Sequence, residues 1–209
     1  MTRSRVGSML LTTALVCSLA ACGGKDDKSS GLPTLTPDPT KSSSTPSSTP
    51  TPPTPTALPT TSTQKYGGLT VILNHPNPPA NSDDVFAAYD NFERAANKTA
   101  ATNVEDPTLT KYAVGAALTT IRGHLADQKS KKVVTGGQVR LTTKVETFGA
   151  IAALTTCLDQ SKSVLVRANG TTYVGPGAKK FPRIKIVVIL GPLDSQWKVT
   201  GYNVKGEKC

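Results

Sequence analysis

Apolar and polar positions divide this chain of 209 residues into stretches of different period. Val6 to Ala21 is a short apolar run interrupted by Ser8, Thr12, Thr13 and Ser18. From Gly23 to about Lys65 the pattern lapses: there is no aromatic residue, and nine prolines between Pro33 and Pro59 are separated mostly by Thr and Ser. Such a stretch buries too little apolar surface to offset its ordering entropy, which predicts a disordered spacer with polyproline II character. Leu69 to Leu73 reads as a short extended segment, stopped by the loop from Asn74 to Pro79. Val85, Tyr89, Phe92 and Ala96 then recur at helical spacing, with Asp90, Glu93, Arg94 and Lys98 on the other side. Asn81 or Ser82 can cap this helix, Asp83 and Asp84 suit its positive end, and it ends near Ala101. Asp106-Pro107 signals a second start, and Tyr112, Ala113, Ala117, Ile121 and Leu125 follow at three- and four-residue steps, which Gly115 can split into two helices.

Everything after Lys132 predicts strands. Val139, Leu141, Thr143 and Val145 alternate with Arg140, Thr142, Lys144 and Glu146, as on a half-exposed strand. Ala150 to Leu158 and Ser163 to Ala168 are further runs, the latter closed by Asn169-Gly170. Ile184 to Leu190 is apolar at nearly every position, which predicts a central strand covered on both faces. Trp197 to Val204 returns as the last strand. Helices followed by an antiparallel meander predict an α+β domain with its helices on one sheet face.

The start of the chain changes the meaning of its cysteines. Arg3 and Arg5, the apolar run and the small residues Ala20 and Ala21 form a secretory signal pattern, and the run is too short for a membrane span. Leu19-Ala20-Ala21-Cys22 resembles the lipobox of bacterial lipoproteins. That resemblance implies that Cys22 is alkylated by a diacylglycerol and becomes the first residue of the mature chain. Two acyl chains suffice for stable anchoring, which puts the protein on the extracytoplasmic face of a cell membrane. The expected organisation is a signal peptide over 1–21, a tether over 22–65 and one domain over 66–209. Cys17 leaves with the signal, so Cys157 and Cys209 remain in an oxidising compartment, where an even pair favours a disulfide. Two free thiols or an intermolecular bridge are the alternatives.

The predicted order of elements, with Tyr89, Phe92, Tyr112 and Gln196-Trp197-Lys198-Val199, resembles the NTF2-like superfamily. It looks most like secreted lipoproteins of high-GC Gram-positive bacteria that carry such a domain on a Pro/Thr tether. Asp106-Pro107, Tyr112-Ala113 and Thr156-Cys157-Leu158-Asp159 share in the likeness, which spans about Ser82 to Val204. It implies a cone in which N-terminal helices pack on a curved antiparallel sheet around a pocket, with Tyr89, Tyr112 and Trp197 as candidates for its lining. The superfamily holds isomerases, hydratases, transport factors and scaffolds, so fold alone assigns no activity.

Candidate chemistry is sparse. His75 sits in a Pro/Asn loop and reads as a surface residue; His124, near the exposed end of a helix, reads as partly buried or solvent-exposed, and Asp159 as a turn residue closing its strand. The two histidines lie far apart and no metal-ligand spacing, phosphate loop, dinucleotide fingerprint or nucleophile elbow occurs, so no catalytic residue, metal or cofactor is assigned. The 24 Lys and Arg against 14 Asp and Glu give +10, or +8 once Arg3 and Arg5 are removed. The basic residues are scattered rather than interleaved with aromatics, which argues against nucleic acid. The sequence therefore predicts a non-catalytic binding or scaffold module at the cell envelope, meeting a wall polymer, an envelope protein or a small apolar ligand. An enzyme using the cone pocket is the alternative, and it needs an ionisable side chain that faces an open cavity.

Overall fold

The computed structural model describes residues 60–209. The chain enters a sheet at once, as β1 (Thr61–Tyr66) turns at Gly67-Gly68 into β2 (Leu69–Asn74). It thus becomes regular ahead of the boundary read from the first aromatic, Tyr66. Three helices follow: α1 (Asp83–Thr102), α2 (Leu109–Tyr112) and α3 (Gly115–Lys131). The remainder is β3 (Val133–Phe148), β4 (Ala152–Arg167), the short β5 (Thr172–Tyr173), α4 (Pro176–Lys180), β6 (Arg183–Leu193) and β7 (Gln196–Val204).

All seven strands form one sheet in the order β1-β2-β3-β4-β6-β7, with β5 beside β4. This overturns the expected NTF2-like cone with a purely antiparallel sheet. The pair β2–β3 is parallel, with Val71 opposite Val139 and Leu73 opposite Leu141, so the sheet is mixed. The cause is the crossover. Leaving β2, the chain runs through α1, α2 and α3 before re-entering alongside β2 in the same direction, and parallel neighbours require such a long connection. The apolar segment at Leu69 was legible in the sequence, but its place inside the sheet was not.

The α1 boundaries follow the sequence signals closely. Asp83 and Asp84 occupy its first turn, and Asn103 ends it in a left-handed conformation with its N–H donating to the Thr99 carbonyl. Ser82 precedes it without capping it, because its hydroxyl donates back to the Pro79 carbonyl at 2.6 Å. Val85, Tyr89, Phe92 and Ala96 pack on Leu154, Ile186, Val188 and Leu190 of the inner sheet face. A smaller cluster, Leu69, Val71, Leu73, Val139 and Leu141, lies where β2 meets β3.

Three further expectations are corrected. The two runs at Ala150 and Ser163 are one continuous strand, β4, bent by a register shift opposite Gln138/Arg140. On β6 only alternate residues are buried, Ile184, Ile186, Val188 and Leu190, while Lys185, Val187 and Ile189 stay partly exposed; the strand is covered on one face. Asp159 closes no strand but lies within β4, paired with Arg183 of β6 at 3.1 Å.

The disulfide is present: Cys157 and Cys209 are bridged, with Cα atoms 5.7 Å apart. It holds the C-terminal tail against the outer sheet face, where Lys185 N–H donates to the Glu207 carbonyl and Lys205 N–H to the Lys185 carbonyl. No helix among the described residues is long and apolar enough to cross a membrane. Cys22 and nearly all of the proposed tether lie outside the described residues.

Candidate functional site

Between α1, α3, the inner sheet face and the α4 segment lies a groove of about 460 Å³. Each wall contributes apolar side chains for a local reason. Ala96 and Ile121 face inward from α1 and α3 at helical spacing. Leu158, Ile184 and Ile186 are inward positions of alternating strands. Gly175, Ala178 and Phe181 close the side where the chain turns through α4 between β5 and β6.

Glu93 of α1 lines this groove and is 1% exposed. It sits one turn after Tyr89 and one turn before Asn97. Asn97 Nδ2 donates to Glu93 Oε2 at 3.1 Å and to the Glu93 carbonyl at 2.8 Å. The other carboxyl oxygen, Oε1, is buried and makes no hydrogen bond among the described residues. Burial pushes the Glu93 carboxyl up to about 7, against the opposing pull of the nearby Tyr89 and Tyr202 hydroxyls. The Tyr202 phenol is held well above its ordinary range by burial and by the charge of Glu93, and its ring packs on Phe92 at 5.3 Å. His124, Asp127 and Lys131 of α3 also line the groove, the last two paired at 2.7 Å.

This arrangement was hidden in the sequence. Periodicity put Asp90 and Glu93 on the solvent side of α1, yet both are buried. The helix is covered on more than one side, touching α2, α3 and strands β1, β2, β3 and β7. The available signal was the company Glu93 keeps, between Phe92 and Ala95-Ala96. Asp90 instead meets His75, whose Nε2 lies 2.7 Å from Asp90 Oδ1. His75 is 3% exposed and stacks beside Phe86 at 4.3 Å, so it is not the surface loop residue expected; it ties the β2–α1 loop to α1.

The three residues expected to line a pocket do not line this groove. Tyr89 is buried in the main cluster, where its hydroxyl and that of Thr156 share a hydrogen bond at 3.0 Å, continued by Thr143 and Thr156 at 2.9 Å. Tyr112 is half-buried against the same cluster. Trp197 is half-buried too, its ring 6.3 Å from Phe148, at the far end of β7 from Tyr202. His124 is exposed, as expected, but on the groove rim.

A second depression lies on the outer sheet face, lined by Arg140, Lys144, Arg183 and Asp159 around the disulfide. Among the described residues no group of three or more His, Cys, Asp or Glu is placed to hold a metal.

No protein-family model and no curated protein matches the sequence. Two solved structures share part of the chain's path at low identity. The intermembrane space region of chloroplast protein ARC6 is 14% identical with a TM-score of 0.43, covering 61% of this chain and 98% of its own. Aln2 from a Streptomyces species is 9% identical with a TM-score of 0.44, covering 62% of this chain and 93% of its own. Likeness of this extent assigns neither a family nor an activity to the chain.

Proposed function

We propose that this chain is a lipid-anchored, extracytoplasmic binding protein whose helix–sheet groove holds a small, largely apolar ligand at the cell envelope. The observation that carries the reading is the groove itself: its volume lies in the range of small-molecule sites, and it combines apolar walls with one buried carboxyl. The lipobox resemblance at Cys22 supports the anchor, and the Pro/Thr stretch supports a spacer between membrane and domain. The sequence from residue 60 to the end carries 19 Lys and Arg against 11 Asp and Glu, a net +8, which suits a neighbourhood of anionic lipid or wall polymer.

Two measurements test this. The neutral fluorophore N-phenyl-1-naphthylamine is expected to bind the full chain once, and Ala100→Trp, which narrows the groove from α1, is expected to abolish binding. Probe binding that survives the filled groove would overturn the groove as the site. Cys22→Ser is expected to release the protein from the membrane fraction, and continued retention would mean that lipid is not the tether.

A proton-transferring enzyme is the second reading, favoured by one observation: an ionisable group in an open groove with a carboxyl near neutrality. The lining around that carboxyl is mostly apolar, which suits holding a hydrocarbon more than orienting a reacting polar substrate. Binding is therefore the function the geometry supports best.

A further inference from the structure

We propose that the groove selects an amphipathic amine, seating its apolar body between α1, α3 and the inner sheet face and its protonated nitrogen on Glu93. The inference rests on the groove being a ligand site and adds the chemistry of the ligand.

Glu93 Oε1 is the reason. Folded proteins leave few buried polar atoms unpartnered, and an unsatisfied buried acceptor costs about 1–3 kcal/mol, more if charged. Here Asn97 holds Oε2 and so fixes the carboxyl, while Oε1 is buried and makes no close hydrogen bond among the described residues, with the Tyr89 and Tyr202 hydroxyls nearby. Glu93 is at the same time a lining residue of the groove. A donor arriving with the ligand satisfies that acceptor, and a cationic donor also offsets the carboxylate's desolvation. Tyr202 lines the same groove close to Glu93.

The remaining surroundings discriminate between head groups. Besides Glu93, the charged or titratable lining groups are His124, Asp127 and Lys131 on α3, the last two paired with each other, and the Tyr202 phenol on β7; the Tyr89 phenol and the Asp90 carboxyl of α1 also act on Glu93. The strands and α4 contribute no charged lining residue. A carboxylate or phosphate head seated at Glu93 would be repelled by its charge once the carboxyl is ionised. An alcohol can donate one hydrogen bond but brings no charge. The apolar walls, Ile121, Leu158 and Ile186 among them, take the hydrocarbon part of any of the three.

The test is displacement of N-phenyl-1-naphthylamine from the full chain by n-octylamine, n-octanol and octanoate. Octylamine is expected to compete at a concentration at least tenfold lower than the other two. In Glu93→Gln that advantage should disappear while octanol stays within twofold of its original value. Equal competition by octanol or octanoate in the native chain, or an amine preference that persists in Glu93→Gln, overturns the inference. If the fluorophore itself fails to bind, the underlying groove reading falls instead, so the two failures are distinct. A measurement on a chain with native Glu93 guards against misfolding of the variant. Octylamine stays protonated between pH 6 and 8, so its affinity should rise several-fold as the carboxyl ionises, and should still do so in His124→Gln. An affinity that is flat with pH overturns the proposal.

Discussion

Glu93 and Asp106 are both buried carboxyls, yet they are shifted in opposite directions. Burial raises Asp106 too, but the Thr108 hydroxyl and N–H, at 2.5 and 2.8 Å, and the Lys98 ammonium, at 2.9 Å, more than compensate and hold it below the usual range. At Glu93 burial outweighs the downward pull of the Tyr89, Tyr202 and Asn97 side chains. The sign of the stability effect follows. Between the unfolded value near 4.5 and the folded value near 7, the folded state binds the extra proton, so stability falls as pH rises through that window and levels off above it. The loss integrates to about 3 kcal/mol. Urea titrations at pH 4.5 and 7.5 should show the native chain losing about that much more than Glu93→Gln, and parallel profiles for the two proteins would refute it. None of this was legible in the sequence, where Glu93 occupies a position that α1 periodicity assigns to solvent.

At the level of elements, the strongest constraint lies where β3 meets two partners. Gly137 has φ +78°, its N–H donates to the Gly68 carbonyl, and a Cβ there would stand 2.2 Å from the Lys162 carbonyl oxygen of β4. The residue sits beside the register shift that bends the β3–β4 ribbon, so backbone conformation and close approach both demand glycine. Gly137→Ala is expected to destabilise the fold by at least about 2 kcal/mol, from the strained backbone and the clash together. Gly123, within α3 and with open space around its Cα, is the contrast: Gly123→Ala should add about 0.5–1 kcal/mol, because alanine loses less freedom on becoming helical. Denaturant midpoints of the two variants should move in opposite directions. The first three helices were legible because short-range signals set them: the Asp83-Asp84 start of α1 and the break at Gly115 that separates α2 from α3. The β6–β7 hairpin was legible too, but the turn expected over Gly191 to Asp194 falls at Asp194-Ser195, because Gly191, Pro192 and Leu193 still pair within β6.

Across the whole domain, the Cys157–Cys209 bridge joins the middle of β4 to the end of the chain over a separation of 52 residues. Chain-entropy reasoning gives a closed loop of that length a stabilisation of about 4 kcal/mol. The bridge also keeps the tail on the outer face, where it meets Lys185 through two backbone hydrogen bonds. Replacing both cysteines by serine should lower the unfolding free energy by up to about 4 kcal/mol, without disturbing the groove on the other face. Equilibrium unfolding together with N-phenyl-1-naphthylamine binding checks both parts. An unchanged midpoint would mean that the bridge does not constrain the unfolded chain, and lost probe binding would mean that the two faces are coupled.

The sequence by itself indicated α1 to α3 and most of the strands, favoured the pairing of Cys157 with Cys209 and raised the expectation of an anchored, tethered domain, but it gave no sign of α4, which lies in a region read as strands throughout. Those readings depend on neighbouring residues, on composition, or on there being a single pair of cysteines to join. Tertiary structure alone decided that β2 lies parallel to β3, that Glu93, Asp90 and His75 are buried, and that the groove opens beside Tyr202 and away from Trp197. The physical reason is that periodicity reports the one face an element buries against its nearest layer. Strand order, second-side coverage of α1 and the space left between α3, α4 and the sheet arise from contacts between distant segments, and no local pattern encodes them.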